Sequence, residues 1–454
     1  MESRGRGSLP RCGERAGRGS GAAAGAPLYK RLPHGPHRLA RSEVVRHQRL
    51  RIHGAIVEVV AERGYQATSV KRVVALAGVS RRSFYEQFAN KQECFLATID
   101  LIAKRELQRI AVACRDGEGA REQRLLAALE RLTETARSEP KAAGLVLVEA
   151  QAAGAAGTLR LQRAIGGGEQ LLRAGLGDQQ LPAPVIAAIA GGVHGALATR
   201  LRSATPIDGA GLAAELLDWT LLLDPACAER MRETIGPRFA RSMRELSRAS
   251  ARRTGTASAA TRGDVRERLL QSTLRVNALE GYANLSAARI ADQAGIGSDQ
   301  LFASFADSEA CLLAALEMLA AELCAVAAVE SASPWPLAVR HALERLLCRL
   351  AQRPLYARTI AQAGCCASPE ALARSLALAP RLAAQLTAGA PAPPPGGDTV
   401  AAIAGAFAHL LRCQLAGARL ALLPALADHL AYVVLAPFIG PDAALAALAE
   451  DLRA

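Results

Sequence analysis

The sequence has few aromatic residues and lacks the motifs of the common enzyme classes. Phe, Trp and Tyr make up only 4% of the 454 residues, although 50% are hydrophobic. Ala and Leu therefore supply most of the apolar content, which favours helices packed on helices over sheets. The chain contains no HExxH, no GxSxG and no glycine-rich phosphate loop after a strand. We expect an all-α protein that is not an enzyme and uses no cofactor.

Cysteine spacing typical of metal or disulfide sites is also missing. The ten cysteines include no CxxC pair, and no secretory leader precedes them, so neither a disulfide framework nor a zinc site is expected. The adjacent Cys365 and Cys366 could sense redox state or a soft metal, but two small residues near a helix end explain them more simply. We expect reduced thiols and no bound metal.

Long uninterrupted apolar runs are absent as well. The best candidate, Leu420–Ile439, is broken by Pro424, Asp428, His429 and Pro437, whereas a membrane-spanning helix needs about 20 consecutive apolar residues. The N-terminus is rich in Arg and Gly and has no apolar export segment. The sequence predicts a cytoplasmic protein without a membrane partner.

The charge is strongly positive and unevenly distributed. The formal net charge is +13, and residues 1–50 hold 11 Lys and Arg against 3 Asp and Glu. Residues 1–40 have the composition of a disordered tail. This tail could be a basic arm that enters a minor groove, an inert leader or an over-extended reading frame, and composition does not distinguish the three.

An internal repeat organises the rest of the chain. Residues 64–100 align with 281–317 without a gap, and 11 of the 37 positions are identical. Further downstream, at an offset of 214, the sequence AAIAG occurs at both 187–191 and 401–405. Several matches in one register indicate that a whole unit was duplicated. The stretch 250–263 predicts a linker between the two units, and 388–398 predicts a loop.

The first copy carries a helix-turn-helix pattern. A helical stripe of apolar residues ends at Gly64, and Ser69 offers an N-cap for a short helix. Gly78 makes a turn, and Ser80 caps the next helix. In that helix Phe84 and Phe88 must face the core, which leaves a polar, basic surface outside.

These residues resemble the DNA-binding signature of the TetR family. The resemblance rests on Gly64-Tyr65, Thr68-Ser69-Val70, Ala77-Gly78-Val79-Ser80, Phe84-Tyr85, Phe88 and Asn90-Lys91. It implies a three-helix head that binds DNA, followed by a helical body that binds a small effector and forms a dimer. Carried over by position, it implies operator contacts from Ser69, Lys71, Ser80, Arg81, Arg82, Ser83, Tyr85 and Lys91.

The second copy departs from the pattern on its surface. Its core positions Ile290, Ala294, Leu301 and Phe305 are apolar, whereas Ser298-Asp299-Gln300 replaces the basic Arg81-Arg82-Ser83. Between the aligned windows the net charge changes from +2 (5 basic, 3 acidic) to −4 (1 basic, 5 acidic). Acidic groups repel DNA phosphates, so we expect a degenerate head, although Gln300 could still contact adenine.

The helical bodies show no catalytic constellation. His194 could face an effector cavity, although a core or dimer-face histidine is the commoner role. We expect a homodimer with two first-copy heads on a double-stranded operator. The alternatives are a protein-interaction module with weak DNA binding and a single-chain pseudo-dimer that uses both heads. The predicted domains are a tail (1–40), a DNA-binding head (41–104), a regulatory body (105–249), a linker (250–263), a degenerate head (264–320) and a second regulatory body (321–454).

Overall fold

The computed structural model describes residues 40–116, 120–176, 182–203, 206–222, 225–252, 264–330, 332–362, 368–393 and 396–450. Every regular element in these ranges is helical. The expectation of an all-α fold is therefore confirmed.

The first head consists of α1 (Arg41–Ala67), α2 (Val70–Ala77) and α3 (Arg81–Tyr85), with α4 (Lys91–Asp116) leading into the body. Gly64 has φ 75°, so α1 is kinked there, in agreement with the break expected from the sequence. Ile52, Ile56, Phe84, Phe88 and Phe95 are all buried in one core. Because these side chains come from α1, α3, the turn after α3 and α4, they fix the angle at which the helices cross.

The first body contains seven further helices and a 3-10 helix at Glu149–Ala153. Its α-helices are α5 (Arg121–Ser138), α6 (Pro140–Leu147), α7 (Gly154–Leu176), α8 (Ala183–Arg202), α9 (Gly209–Leu221), α10 (Pro225–Thr234) and α11 (Gly236–Arg252). The start of the expected linker 250–263 is therefore helical, because α11 runs to Arg252. The remainder, residues 253–263, lies outside the described residues.

The second half begins with α12 and the shorter helices α13 and α14, and continues as a helical bundle. Its α-helices are α12 (Val265–Glu280), α13 (Ala287–Ala294), α14 (Ser298–Ser304), α15 (Ser308–Val326), α16 (Trp335–Gln352), α17 (Pro354–Ala361), α18 (Pro369–Thr387), α19 (Thr399–Ala416), α20 (Ala427–Ile439) and α21 (Pro441–Glu450), with 3-10 helices at Tyr282–Asn284 and Leu420–Leu426. The expected tail lies outside the described residues except for Ala40, and so do Cys365 and Cys366.

Helices α8 and α19 pack closely across the two halves of the chain. A methyl group built on Gly195 would lie 2.5 Å from the Ala401 carbonyl oxygen and 2.6 Å from Cα of Gly405. One built on Gly191 would lie 2.5 Å from Cβ of His409. The partner residue number falls as the α8 residue number rises, so the helices are antiparallel. Glycine at these positions lets the two backbones touch.

Within the described residues, three segments are long and apolar enough to cross a membrane by length and composition: α8, α19 and Leu420–Ile439. The bent pair Pro140–Leu147 and Glu149–Ala174 would make a fourth if it counted as one span. Only the third segment stood out in the sequence, because the prediction was based on the length of uninterrupted apolar runs. Within the most apolar windows of the three segments, 61–72% of the residues are buried inside the protein. In the third segment Asp428 accepts from Arg238 and Arg340 at 3.3 and 2.9 Å. Packing against other helices thus accounts for most of the apolar surface of these segments.

Candidate nucleic-acid interface and effector cavity

The short helix α3 presents its polar face to solvent. Ser80 lies at its N-cap, where its hydroxyl accepts from the Ser83 amide at 2.9 Å, as the sequence predicted. Phe84 is buried in the core while its neighbour Tyr85 is 55% exposed. The helix is therefore fixed by one aromatic ring and leaves the residues around that ring free to contact a ligand.

Most of the predicted DNA contacts on and next to α2 and α3 are exposed to solvent. Ser69, Lys71, Ser80, Arg81, Arg82 and Tyr85 are exposed, and Ser83 is half-buried. Arg82 pairs with Glu86 at 3.0 Å, but its side chain remains 89% exposed. An exposed ion pair of this kind contributes little stability, so Arg82 can leave it for another partner.

Lys91 differs from the other predicted contacts. Its ammonium donates to the carbonyl oxygens of Tyr65 at 3.0 Å and Gln66 at 3.4 Å, and it lies 4.3 Å from the centroid of the Tyr65 ring. Burial lowers the pKa of Lys91. Its side chain therefore holds the end of α1, a role that the sequence did not suggest, and a phosphate contact would be an additional one.

The N-termini of α4 and α2 differ in their side-chain capping. Asn90 accepts from the Glu93 amide at 2.8 Å and so caps α4. Ser69 occupies the N-cap position of α2 but makes no side-chain capping hydrogen bond. The expected cap at Ser69 is therefore wrong, and its hydroxyl is left on the surface.

The segment 264–320, which was predicted to be a second head, has a packed core under a different surface. Ile290, Leu301 and Phe305 are buried, as the repeat predicted. Asp299 and Gln300 are exposed on α14, and Phe302 is 57% exposed. The surface that corresponds to the basic face of α3 is thus acidic and partly apolar.

An apolar cavity of about 170 Å³ lies inside the first body. It is bordered by α4, α5, α6, α7 and α8, and most of its lining consists of Leu, Ile, Val and Ala side chains, including Ile102, Leu125, Leu129, Val146, Ile165 and Leu197. A concave, mainly apolar site of this kind can accept a small hydrophobic molecule. The sequence indicated that the body is rich in Leu and Ala but could not reveal a space between these side chains.

Three polar side chains, Glu106, Thr135 and His194, interrupt the apolar lining. His194 is at the wall, where its Nε2 hydrogen-bonds the Leu147 carbonyl at 3.0 Å. Burial and the nearby Arg412 charge lower the pKa of His194 to about 3, so the ring is neutral. Nε2 must then donate, and Nδ1 is left as a buried acceptor without a partner. His194 therefore fits both roles inferred from the sequence, because it lies at the cavity wall and is also a buried, hydrogen-bonded core side chain near Arg412 of α19.

Glu106 is another polar group at the cavity. Both of its carboxylate oxygens are buried, and Arg109 lies 3.6 Å away. Burial is the largest effect on the pKa of Glu106 and raises it, while the Thr135 hydroxyl and the Arg109 charge act in the opposite direction. A buried carboxyl of this kind, together with the free Nδ1 of His194, could orient a polar group on an otherwise apolar ligand.

The head sequence matches a known family. Residues 52–98 fit the family model of bacterial regulatory proteins, tetR family. The first head is a TetR-type helix-turn-helix domain. This match supports a DNA-binding transcriptional regulator, and it confirms the resemblance inferred from the head residues. It does not extend to the bodies or to the second head.

Comparisons over longer stretches are weaker. The fatty acid degradation regulator FadR from Bacillus halodurans is 19% identical, over 38% of this chain and 94% of its own, with a TM-score of 0.36. The transcriptional regulator FadR from Bacillus subtilis in complex with stearoyl-CoA is 17% identical, over 38% and 96%, with a TM-score of 0.35. No curated protein matches the chain. Both TM-scores are below 0.5, so these two structures do not establish a shared fold for the whole chain.

The TetR-type head is hydrogen-bonded to the 3-10 helix of the body. The Tyr65 amide donates to Glu149 Oε2 at 3.0 Å, and Gln66 Nε2 donates to the Ala152 carbonyl at 2.8 Å. Gln92 Nε2 reaches the Ala153 carbonyl at 3.2 Å. Val146 and Leu147, just before this 3-10 helix, line the cavity. A single short segment thus contacts the head and continues from the cavity wall.

Proposed function

We propose that this protein is a ligand-responsive transcriptional repressor, located in the cytoplasm, that binds its operator through the TetR-type head. The observation that carries the proposal is the surface of α3, where Arg81, Arg82 and Tyr85 are exposed above the buried Phe84. An Arg side chain on such a helix can form paired hydrogen bonds with guanine in the major groove, worth about 1–3 kcal/mol of discrimination.

The effector in this proposal is a mainly apolar small molecule that occupies the first-body cavity. Its entry would press on the α6 segment that continues into the 3-10 helix, and that helix holds Tyr65 and Gln66 of the head. An effector that favours one head position shifts the equilibrium by its difference in affinity for the two positions. By linkage, effector and operator then weaken each other equally.

We further propose that the chain contains two copies of one regulator unit. Beyond the sequence repeat, Arg51 Nη2 donates to the Gly78 carbonyl at 2.8 Å, and Arg268 Nη2 donates to the Gly295 carbonyl at 3.3 Å. At the offset of 217, Arg51 corresponds to Arg268 and Gly78 corresponds to Gly295, so the two hydrogen bonds are equivalent. Arg51 and Arg268 lie outside the aligned window 64–100, so this pair is independent support.

The packing of α8 on α19 favours a single-chain pseudo-dimer. At the offset of 214, Gly191 corresponds to Gly405 and Gly195 to His409, so contacts of Gly191 with His409 and of Gly195 with Gly405 are equivalent. Reciprocal contacts of this kind define an isologous, two-fold interface. The two halves of one chain would then replace two subunits, and a homodimer with two first heads would need another surface.

Selection of bound sequences from random duplex DNA by the full-length chain tests the operator proposal. We expect one enriched site, lost in Arg81→Ala/Arg82→Ala and retained in the control Gln300→Ala. A palindromic site with a dimeric mass in solution would support the homodimer. A single, non-palindromic half-site bound by a chain that is monomeric in solution would support a pseudo-dimer in which only the first head contacts DNA. No enriched site, or equal losses from both variants, would contradict the proposal.

A cavity-filling variant tests the effector part. Ala164 lines the cavity, whereas Ala155 on the same helix is exposed. We expect apolar compounds that release operator DNA from the native chain to fail with Ala164→Phe and to act normally with Ala155→Phe. Normal release by the Ala164 variant would show that the effector binds elsewhere.

A second candidate function is favoured by the acidic second head. Its exposed Phe302 beside Asp299 and Gln300 resembles a protein contact surface more than a phosphate contact surface. In that case the chain would act mainly by holding a partner protein, and its DNA affinity would be weak. A steep loss of operator affinity with salt would favour the repressor, because contacts with phosphate release counterions.

A further inference from the structure

A mixed cluster of metal-binding residue types lies between the two halves of the chain. Glu169 is on α7, whereas His409 and Cys413 are one turn apart on α19. His409 Nε2 lies 2.8 Å from Glu169 Oε1 and 3.5 Å from Cys413 Sγ. One ligand atom from each residue falls within 4.8 Å of the other two. The cluster is largely enclosed, since the side chain of His409 is 1% exposed and that of Glu169 is 19% exposed.

The spacing of these atoms is close to that of a tetrahedral zinc site. Bonds of about 2.0–2.3 Å at tetrahedral angles place neighbouring nitrogen and sulfur ligands about 3.6 Å apart and nitrogen and oxygen ligands about 3.4 Å apart. The observed nitrogen-to-sulfur distance already fits. The Glu169 carboxylate would need to withdraw by about 0.6 Å, exchanging its hydrogen bond to His409 for a bond to the ion.

Arg412, between the two α19 ligands, supplies an independent observation. Its side chain is buried, and Nε and Nη2 have no hydrogen-bond partner. A buried guanidinium without an anionic partner is unfavourable. Without an ion, burial and the nearby Glu169 carboxylate raise the pKa of the Cys413 thiol to about 11. A bound cation would convert that thiol into a thiolate, which would place a negative charge next to Arg412 in the sequence.

We propose that Glu169, His409 and Cys413 form a binding site for a zinc-class divalent cation. The neutral imidazole, the carboxylate and the thiolate supply three ligands, and water completes the coordination. Cys413 gives up its thiol proton to solvent as the ion binds, so each binding event releases one proton. CxxC spacing would not reveal this site, because its His and Cys are four residues apart on one helix and its Glu is distant in the sequence.

The position of the site determines what the ion would do. Glu169 belongs to the first body and the other two ligands belong to the second, so the ion joins segments that are 240 residues apart in sequence. Binding therefore stabilises the contact between the halves, and the midpoint of thermal unfolding rises with the concentration of free zinc. The site does not depend on DNA binding, so the repressor proposal and this one can fail separately.

Cobalt(II) titration of the full-length chain, stripped with a chelator, tests the site. Cobalt serves as a coloured substitute for zinc. We expect one ion per chain, a near-ultraviolet sulfur-to-cobalt charge-transfer band, and displacement of the ion by zinc. Cys413→Ser should abolish the band, whereas the matched control Cys324→Ser, a half-buried thiol on α15, should retain it.

Loss of Glu169 provides a second variant that keeps the thiolate. Glu169→Gln should lower zinc affinity by more than the roughly 10- to 100-fold caused by losing an outer-sphere partner. Circular dichroism of each metal-free variant would separate loss of a ligand from loss of the fold. Absence of the band in the native chain, or its persistence at full strength in a folded Cys413→Ser chain, would overturn the proposal. In either case the cluster is a buried hydrogen-bonded group.

Discussion

The contact between α8 and α19 predicts a large effect from the smallest substitution. In Gly405→Ala the added methyl group would lie against the Gly191 carbonyl oxygen and 2.6 Å from Cα of Gly195. Both neighbours are backbone atoms that no rotamer change can move. Overpacking costs about 1–3 kcal/mol, and rigid neighbours favour the upper end. Replacing helical glycine by alanine returns about 1 kcal/mol, so we expect a net loss of about 2 kcal/mol.

Gly166 on α7 provides the matched control. A methyl group there meets no atom within 4 Å, so Gly166→Ala should raise stability by about 0.5–1 kcal/mol. Urea unfolding followed by circular dichroism measures both variants. With a slope of about 3 kcal/mol per molar, the midpoint of Gly405→Ala should fall by about 0.7 M. Equal midpoints for the two variants would refute the close backbone contact.

Three further predictions concern the first head, each measured by urea unfolding. Burial lowers the pKa of His53 to about 4 from 6.5, so the unfolded state binds more protons. The contribution of His53 to stability should be full above pH 6.5 and fall by about 1.4 kcal/mol per pH unit down to pH 4. His53→Asn should therefore reduce the pH slope of the whole chain by about that amount, and an unchanged slope would contradict this. Phe84→Ala should cost about 3–5 kcal/mol, and a loss below 1 kcal/mol would mean that the ring is not buried. Lys91→Met should lower the free energy of unfolding by about 1 kcal/mol because it removes the donor to Tyr65 and Gln66. An unchanged free energy of unfolding would mean that these hydrogen bonds do not stabilise the head.

The core of the head could be predicted from the sequence because its spacing is local. Phe84 and Phe88 are both buried, as their four-residue spacing predicted, and Arg81 and Arg82 are exposed. The predicted helix is shorter than expected, because α3 ends at Tyr85 and Phe88 lies in the turn after it. The same reasoning failed for Lys91. Its partners are carbonyl oxygens about 25 residues earlier, and backbone acceptors leave no signal in a side-chain pattern.

The cavity and the interface between the halves depend on distant contacts. The sequence shows that Ile102, Leu129 and Leu197 are apolar. It does not show whether their side chains pack against one another or leave a cavity. The repeated AAIAG sequence was interpreted as evidence of duplication. Only the fold revealed that the two copies lie face to face, with Gly191 and Gly405 at the contact.

Joining α8 and α19 in one polypeptide has a consequence for the protein in the cell. Subunits encoded separately come apart on dilution and can exchange with damaged or related copies. Here the chain itself keeps the two helices at a high effective concentration, so their contact forms at any copy number. A few molecules per cell are enough to maintain it, and the product of a defective allele cannot enter this interface and inactivate a normal molecule.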